Sequence, residues 1–207
     1  MKTSLKQTMM AGVLATMVGS AIAAPAQAPS DFIKTVADSL IGKLKAEHDH
    51  LNNPATINAI VKQNLEPYVD AQAFTRIVMG TYASPQSSTP QQRAAFESNL
   101  RQSLIQNYGS ALAKYSNQGY AIRPYKPSAG AYQVVTLDFI SQGQKTPVAF
   151  QLADHGSQWK IRNMNVAGID LGLQFRNQFA STVQRNGGNL DKAIATFKPD
   201  ANAATSK

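Results

Sequence analysis

Residues 65–115, LEPYVDAQAFTRIVMGTYASPQSSTPQQRAAFESNLRQSLIQNYGSALAKY, decide the reading of this chain. They describe a turn, a short helix, a loop and a long helix. Asp70 is a good N-cap, because its carboxylate can accept from the free N–H groups of a first helical turn. Phe74, Ile77 and Val78 give the short helix an apolar side, and Gly80 suits its C-terminal end. Residues 83–88 (ASPQSS) form a loop. Thr89-Pro90-Gln91-Gln92 is a capping-box start with proline at the first helical position, where an N–H would be unpaired anyway. The helix behind it reaches about Tyr115, and Phe96, Leu100, Leu104, Tyr108 and Leu112 form its apolar stripe.

Upstream, Ser30 is expected to cap a helix, with Asp31 favourable in its first turn. Phe32, Val36, Leu40 and Leu44 recur every fourth residue along it. Asn52-Asn53-Pro54 breaks the chain. A second helix carries Ile57, Ile60, Val61 and Leu65 on one side and should stop before Pro67. Downstream the period changes from helix to strand. Residues 119–126 alternate Tyr120, Ile122 and Pro124, as in an edge strand. Residues 131–140 place Val135, Leu137 and Phe139 on one face, with Tyr132, Val134 and Ile140 on the other. A turn at 141–144 leads to Val148, Phe150 and Leu152 in alternation. A turn at 154–157 leads to a last strand over 158–166. Asp170 is a cap for a helix striped by Leu171, Phe175, Phe179 and Val183, which Gly187-Gly188 ends. Leu190, Ile194 and Phe197 mark a short final helix. The expected class is α+β: a curved antiparallel sheet of about four strands covered by N- and C-terminal helices.

The ends are distinctive. Lys2 and Lys6 precede a mostly apolar run, Met9 to Val18, that is too short to span a bilayer. Small residues follow, and cleavage is expected after Ala23 or Ala24. Residues 1–23 therefore read as a secretory signal, 24–197 as one domain and 198–207 as a flexible polar tail. The expected localisation is outside the cytoplasm. Losing Lys2 and Lys6 lowers the net charge from +8 to +6. A basic balance favours anionic partners. The positive residues are scattered, however, and an exported protein meets little nucleic acid, so no nucleic-acid partner is expected. The chain has no cysteine, hence neither a disulfide nor a lipid-modified cysteine.

No catalytic motif stands out. His48 and His50, two apart, do not share a helical face. His155 lies in a turn. There is no glycine-rich phosphate loop and no GxSxG elbow. Asp138 alternates with apolar neighbours on a strand. It either enters a cavity, where a carboxylate is a candidate base, or faces solvent. No metal or cofactor is expected.

The order of these features resembles the MlaC family, the periplasmic phospholipid-binding shuttles of Gram-negative envelopes. The resemblance rests on Pro67-Tyr68-Val69, Gly80 and Tyr82, Thr89 to Phe96 as TPxQRxxF, and Tyr108 with Tyr115. Trp159, Gly168, Phe175, Arg176 and Phe179 extend it. It implies an apolar cavity between sheet and helices that holds the tails of a diacyl phospholipid. The implied lining is Phe74, Val78, Leu100, Leu104 and Tyr108 from helices, with Leu137, Phe139, Val148, Phe150, Trp159 and Ile161 from strands. Arg76, Arg101 and Arg176 are candidate headgroup or partner contacts. The implied partners are an inner-membrane ABC transporter complex with an MCE-domain protein and an outer-membrane lipoprotein–porin complex, met by a monomeric, non-catalytic carrier. Three positions depart from the family pattern: Asn163 where Asp is expected, Ala167 where Glu is common, and Asp170 where Ser is common. Two other readings stay open, an NTF2-type ligand pocket or enzyme and a periplasmic adaptor without a ligand.

Overall fold

Helix starts in this chain are fixed locally, by a side chain or a proline that deals with the free N–H groups of the first turn. The computed structural model describes residues 27–114 and 118–200. Four helices come first: α1 (Pro29–Ala46), α2 (Pro54–Asn64), α3 (Ala71–Met79) and α4 (Pro90–Lys114). Asn53 caps α2 by accepting from the Ala55 N–H at 2.9 Å, and Asp70 caps α3 by accepting from the Ala73 N–H at 2.8 Å. The capping box of α4 is complete. Thr89 Oγ1 accepts from the Gln92 N–H at 3.1 Å, and Gln92 Oε1 accepts from the Thr89 N–H at 3.0 Å. Helix α1 departs from expectation. It starts one residue before Ser30, at Pro29, with Ala28 as a cap that makes no side-chain bond. Proline needs no N–H partner and holds a helical φ, so it opens the helix before the serine can. The second helix stops at Asn64, and a single 3₁₀ turn, Glu66–Tyr68, carries the chain past Pro67.

The sheet is an antiparallel, curved and unclosed meander, in the order β1 (Gly119–Ile122), β2 (Tyr132–Ser141), β3 (Gln144–Asp154), β4 (Trp159–Val166) and β5 (Ile169–Asp170). Strand β1 ends at Ile122, short of Pro124, which has no N–H for a ladder. The fifth strand exists because Ala167-Gly168 forms a two-residue hairpin turn that brings Ile169 opposite Val166. Both turn residues have positive φ, 51° and 90°, as a primed turn requires. Gln142-Gly143 turns β2 into β3 in the same way, at 50° and 78°. A bulge between Gln151 and Leu152 shifts the β3–β4 register. Helices α5 (Leu171–Arg185) and α6 (Leu190–Thr196) close the described chain.

Three apolar clusters form. In the first, α3 to α6 gather around Phe96, Phe179 and Phe197, whose ring centroids lie 4.4 to 5.6 Å apart. In the second, Phe32, Ile33 and Val36 of α1 lie against Val135, Leu137, Leu152 and Ile161 of the sheet. The third joins α1 and α2 through Leu44, Ile57 and Ile60. The other sheet face carries Val134 and Tyr132, which are exposed, and Arg162 stacks on the Tyr132 ring at 3.7 Å. Residues 199 and 200, expected in the flexible tail, are held in place. Pro199 is buried, its carbonyl accepts from Asn107 and Tyr108, and the Asp200 carbonyl accepts from Gln174 and Gln178. Residues 1–23, the tail beyond Asp200, and the Leu112 and Tyr115 side chains lie outside the described residues.

Ala167 is the strained residue of the β4–β5 turn, since a left-handed conformation costs a non-glycine residue about 1–2 kcal/mol. Asparagine tolerates it better. Ala167→Asn should raise the thermal midpoint by roughly 2–4 °C, the shift expected for about 1 kcal/mol in a domain this size. Differential scanning calorimetry checks it.

Candidate functional site

The three clusters leave a seam. A groove of about 350 Å³ opens along it, between α2, the Glu66–Tyr68 turn, α3 and α4. Each cluster supplies a wall: Phe74, Leu100 and Leu104 from the helical cluster, Leu65 and Val69 from the sheet cluster, and Val61 and Ile105 from the α1–α2 cluster. Charged residues sit at its mouth. Arg101 Nε donates to Glu66 Oε1 at 2.5 Å, and Glu97 lines the same opening.

The expected pocket residues divide between the clusters. Phe74, Leu100 and Leu104 line the groove. Val78 is fully buried among the helices, and Tyr108 packs beside it, its hydroxyl donating to the Pro199 carbonyl at 3.1 Å. Leu137, Phe139, Phe150, Trp159 and Ile161 belong to the sheet cluster under α1, and Val148 pairs with Leu137 on the same face. Trp159 Nε1 donates to the Gln27 carbonyl at 2.8 Å. Val61, Leu65, Val69 and Ile105 line the groove without having been expected there. The apolar side of α2 held the signal for the first two, but its partner could not be read from spacing. Arg76 and Arg176 stand elsewhere, on a second groove of about 480 Å³ beside Gly80. Gly80 has a φ of +56°, which favours glycine, and a Cβ there would sit 2.9 Å from Arg176 Cδ, so any other residue would also have to displace the Arg176 side chain.

What positions the groove is the crossing at Val69-Asp70. Val69 forms a parallel bridge with Ile161, and the Asp70 N–H donates to the Ile161 carbonyl at 2.9 Å. One Asp70 oxygen caps α3, and the other lies 3.0 Å from His155 Nε2 in the β3–β4 turn. Lys160 adds a bond to the Pro67 carbonyl. At the other end of β4, Asn163 is buried and fully used. Its oxygen accepts from the Met164 and Gly172 N–H groups, while its Nδ2 donates to both oxygens of Asp170, which in turn caps α5. Positions 163 and 170, read from the sequence as departures from the family pattern, therefore touch one another, and the pair holds a single carboxylate, on Asp170.

Asp138 does not enter a cavity. Strand alternation places it on the face opposite Leu137, where Arg123 holds it with three bonds of 2.8 to 3.1 Å. The Arg123 guanidinium keeps the Asp138 carboxyl below its usual 3.8. Tyr120, half-buried beside Asp38, has its hydroxyl pushed up to about 12, first by burial and then by the bond to that carboxylate. No group of three or more metal-ligating side chains occurs among the described residues, and none of their helices is long and apolar enough to cross a membrane.

The family model described as MlaC protein matches residues 34–198. The chain belongs to the MlaC family. Its MlaC relatives include the toluene tolerance protein ttg2D of Pseudomonas putida, 37% identical over 171 residues, which span 82% of this chain and 79% of the relative. The intermembrane phospholipid transport system binding protein MlaC of Haemophilus influenzae is 24% identical over 170 residues, 79% of this chain and 78% of the relative. A solved MlaC-like structure is the phospholipid-binding protein of Ralstonia solanacearum in complex with a phospholipid. It superposes with a TM-score of 0.73 at 25% identity, covering 82% of this chain and 98% of that one.

Two variants probe these polar links. Asn163→Asp sets two carboxylates against each other and should cost about 1–3 kcal/mol, the usual penalty for an unsatisfied buried group. Adding Asp170→Ser, which keeps a capping oxygen, should recover most of the loss in urea melts. Asp138→Asn tests the pair with Arg123. Because folding lowers the Asp138 pKa, its contribution is full above about pH 4 and fades as pH falls through the folded value. Asp138→Asn should be the less stable protein at pH 6, and the gap should narrow toward pH 2.5.

Proposed function

We propose that this protein is a periplasmic phospholipid carrier that moves lipid between the outer and inner membranes and so maintains outer-membrane lipid asymmetry. In this reading residues 1–23 are a cleaved export signal and residues 24–197 form the lipid-binding domain. The observation that carries the reading is the apolar groove at the seam of three separate clusters, in a member of a family whose relatives are named for phospholipid binding and transport.

The physics of the task supports it. Exposing two acyl chains of about 16 carbons to water costs on the order of 20 kcal/mol, at roughly 0.8 kcal/mol per CH₂. A lipid therefore crosses an aqueous gap only inside a carrier. Transfer from bilayer to an apolar interior is close to neutral, which lets the same protein load and unload. The walls that accept the tails are Phe74, Leu100 and Leu104, with Val78 and Tyr108 behind them. Leu137, Phe139, Val148, Phe150, Trp159 and Ile161 form the sheet side as the helices part from it. At about 350 Å³ the groove lies at the lower end of the roughly 300–1,000 Å³ of ligand sites, so a diacyl lipid needs the seam to widen. Arg76, Arg101 and Arg176 face the headgroup or the docking partners. Those partners are an inner-membrane ABC transporter complex with its MCE-domain protein and an outer-membrane lipoprotein–porin complex, engaged in turn by the monomer. The carrier performs no chemistry on its cargo, and the pairing of Asp138 with Arg123 takes that carboxylate away from a base's role.

Native mass spectrometry of protein taken directly from periplasm should find close to one diacyl phospholipid per chain. A clean apo mass, unchanged after incubation with vesicles, overturns the carrier reading. Leu104→Trp, which fills the groove, should cut occupancy by about tenfold, the effect of roughly 1.4 kcal/mol. Its circular dichroism should stay that of the wild type.

A further inference from the structure

Arg101 occupies a position with two possible seats. Its Nε is bound to Glu66 Oε1, which lies on the 3₁₀ turn across the groove. Glu97, one helical turn before it on α4, lines the same mouth and has no hydrogen-bond or ion-pair partner among the described residues. A glutamate four residues N-terminal to a cation is the favoured orientation for a helical pair. The side chains of Arg101 and Glu66 are 48% and 29% exposed, so water screens their pairing and the bond is easily exchanged. Arg101 can therefore leave Glu66 without being left unpaired.

Beyond Ile105, outside the groove, α2 and α4 pack closely: a Cβ on Gly109 would sit 2.9 Å from Ile57 Cγ2. At the groove itself the Arg101–Glu66 bond ties α4 to the Glu66–Tyr68 turn, across a mouth that Val61, Leu65 and Leu104 also line.

Resting on the carrier reading above, we propose that this groove is the port through which an acyl chain enters the seam, and that Arg101 is its swinging latch, shut on Glu66 and open on Glu97. The occupant is an acyl chain because the port leads directly into the meeting point of all three apolar clusters, and its walls below the mouth are hydrocarbon. Arg101 is a positioning residue here: it sets the width of the mouth.

The chain has no cysteine, so Glu66→Cys with Arg101→Cys creates one addressable pair. The double variant is joined with a short bismaleimide, or blocked at both thiols with N-ethylmaleimide as control. Each form is then offered phosphatidylethanolamine–phosphatidylglycerol vesicles carrying a fluorescent diacyl phospholipid. The joined form should take up lipid at least an order of magnitude more slowly than the blocked one. Two single variants test the latch in otherwise native protein. Glu66→Gln, which removes the closed seat, should speed uptake roughly two- to fivefold, the range an exposed ion pair supports. Glu97→Gln, which removes the open seat, should slow it by a similar factor. Both variants lose the same charge, so a general surface-charge effect would move them in one direction. Equal uptake by joined and blocked protein, with wild-type uptake intact, overturns the port and leaves the carrier reading standing. Glu66→Gln and Glu97→Gln shifting uptake the same way overturns the latch. No uptake by any form, wild type included, overturns the carrier reading and the port with it.

Discussion

Asp70 joins the halves of this molecule. Its N–H extends the edge of β4, one carboxylate oxygen starts α3, and the other meets His155 in the β3–β4 turn. A backbone crossing at this point holds the helical layer against one edge of the sheet while each keeps its own apolar cluster. The direction of α3 follows from the cap, and the walls of the groove follow from α3. The capping oxygen removes a polar obligation at a helix start that would otherwise sit next to apolar surface.

The energetics divide along the same line. Phe96, Phe179 and Phe197 fill the helical cluster, and Ile33, Leu137 and Leu152 fill the sheet cluster, each close to solvent-free. Tight interiors tolerate little change in volume. A carrier built on a single such interior would have to damage it to admit a ligand. Here three interiors meet edge to edge, and the side chains at their boundary, Phe74, Leu104 and Leu65, are only partly buried. Opening therefore begins at that boundary, where less packing is lost than in the middle of any one cluster.

Much of the fold was legible because its signals are short-range. Asp70, Thr89 and Asp170 each cap within three residues, and the 141–144 turn is set by its own backbone. Ser30 misled because Pro29, one position earlier, can open a helix without a side-chain bond. The two-residue β5 was missed because pairing so short leaves no period to detect. The site was less legible for a different reason. Periodicity marks which side of an element is apolar, not which element it meets, so Leu137 and Leu104 looked alike in sequence although one lies under α1 and the other on the groove. The Arg101–Glu66 bond links residues 35 apart, and the Asp138–Arg123 pair depends on strand register. Neither has a local signature.

The separate clusters bear on how this chain breathes. A domain with one continuous interior opens as a unit, whereas one with several has opening reactions of lower free energy than global unfolding. The sheet with α1 and the bundle of α3 to α6 each have their own apolar cluster, and they are joined by the Val69-Asp70 crossing, by α2, and by the Asn163–Asp170 link from β4 to the start of α5. Amide protection should therefore be graded by cluster, with the weakest protection in the Glu66–Tyr68 turn and the first residues after it. Flexibility of this kind is a property of where the cores stop, and it requires no loop to be disordered.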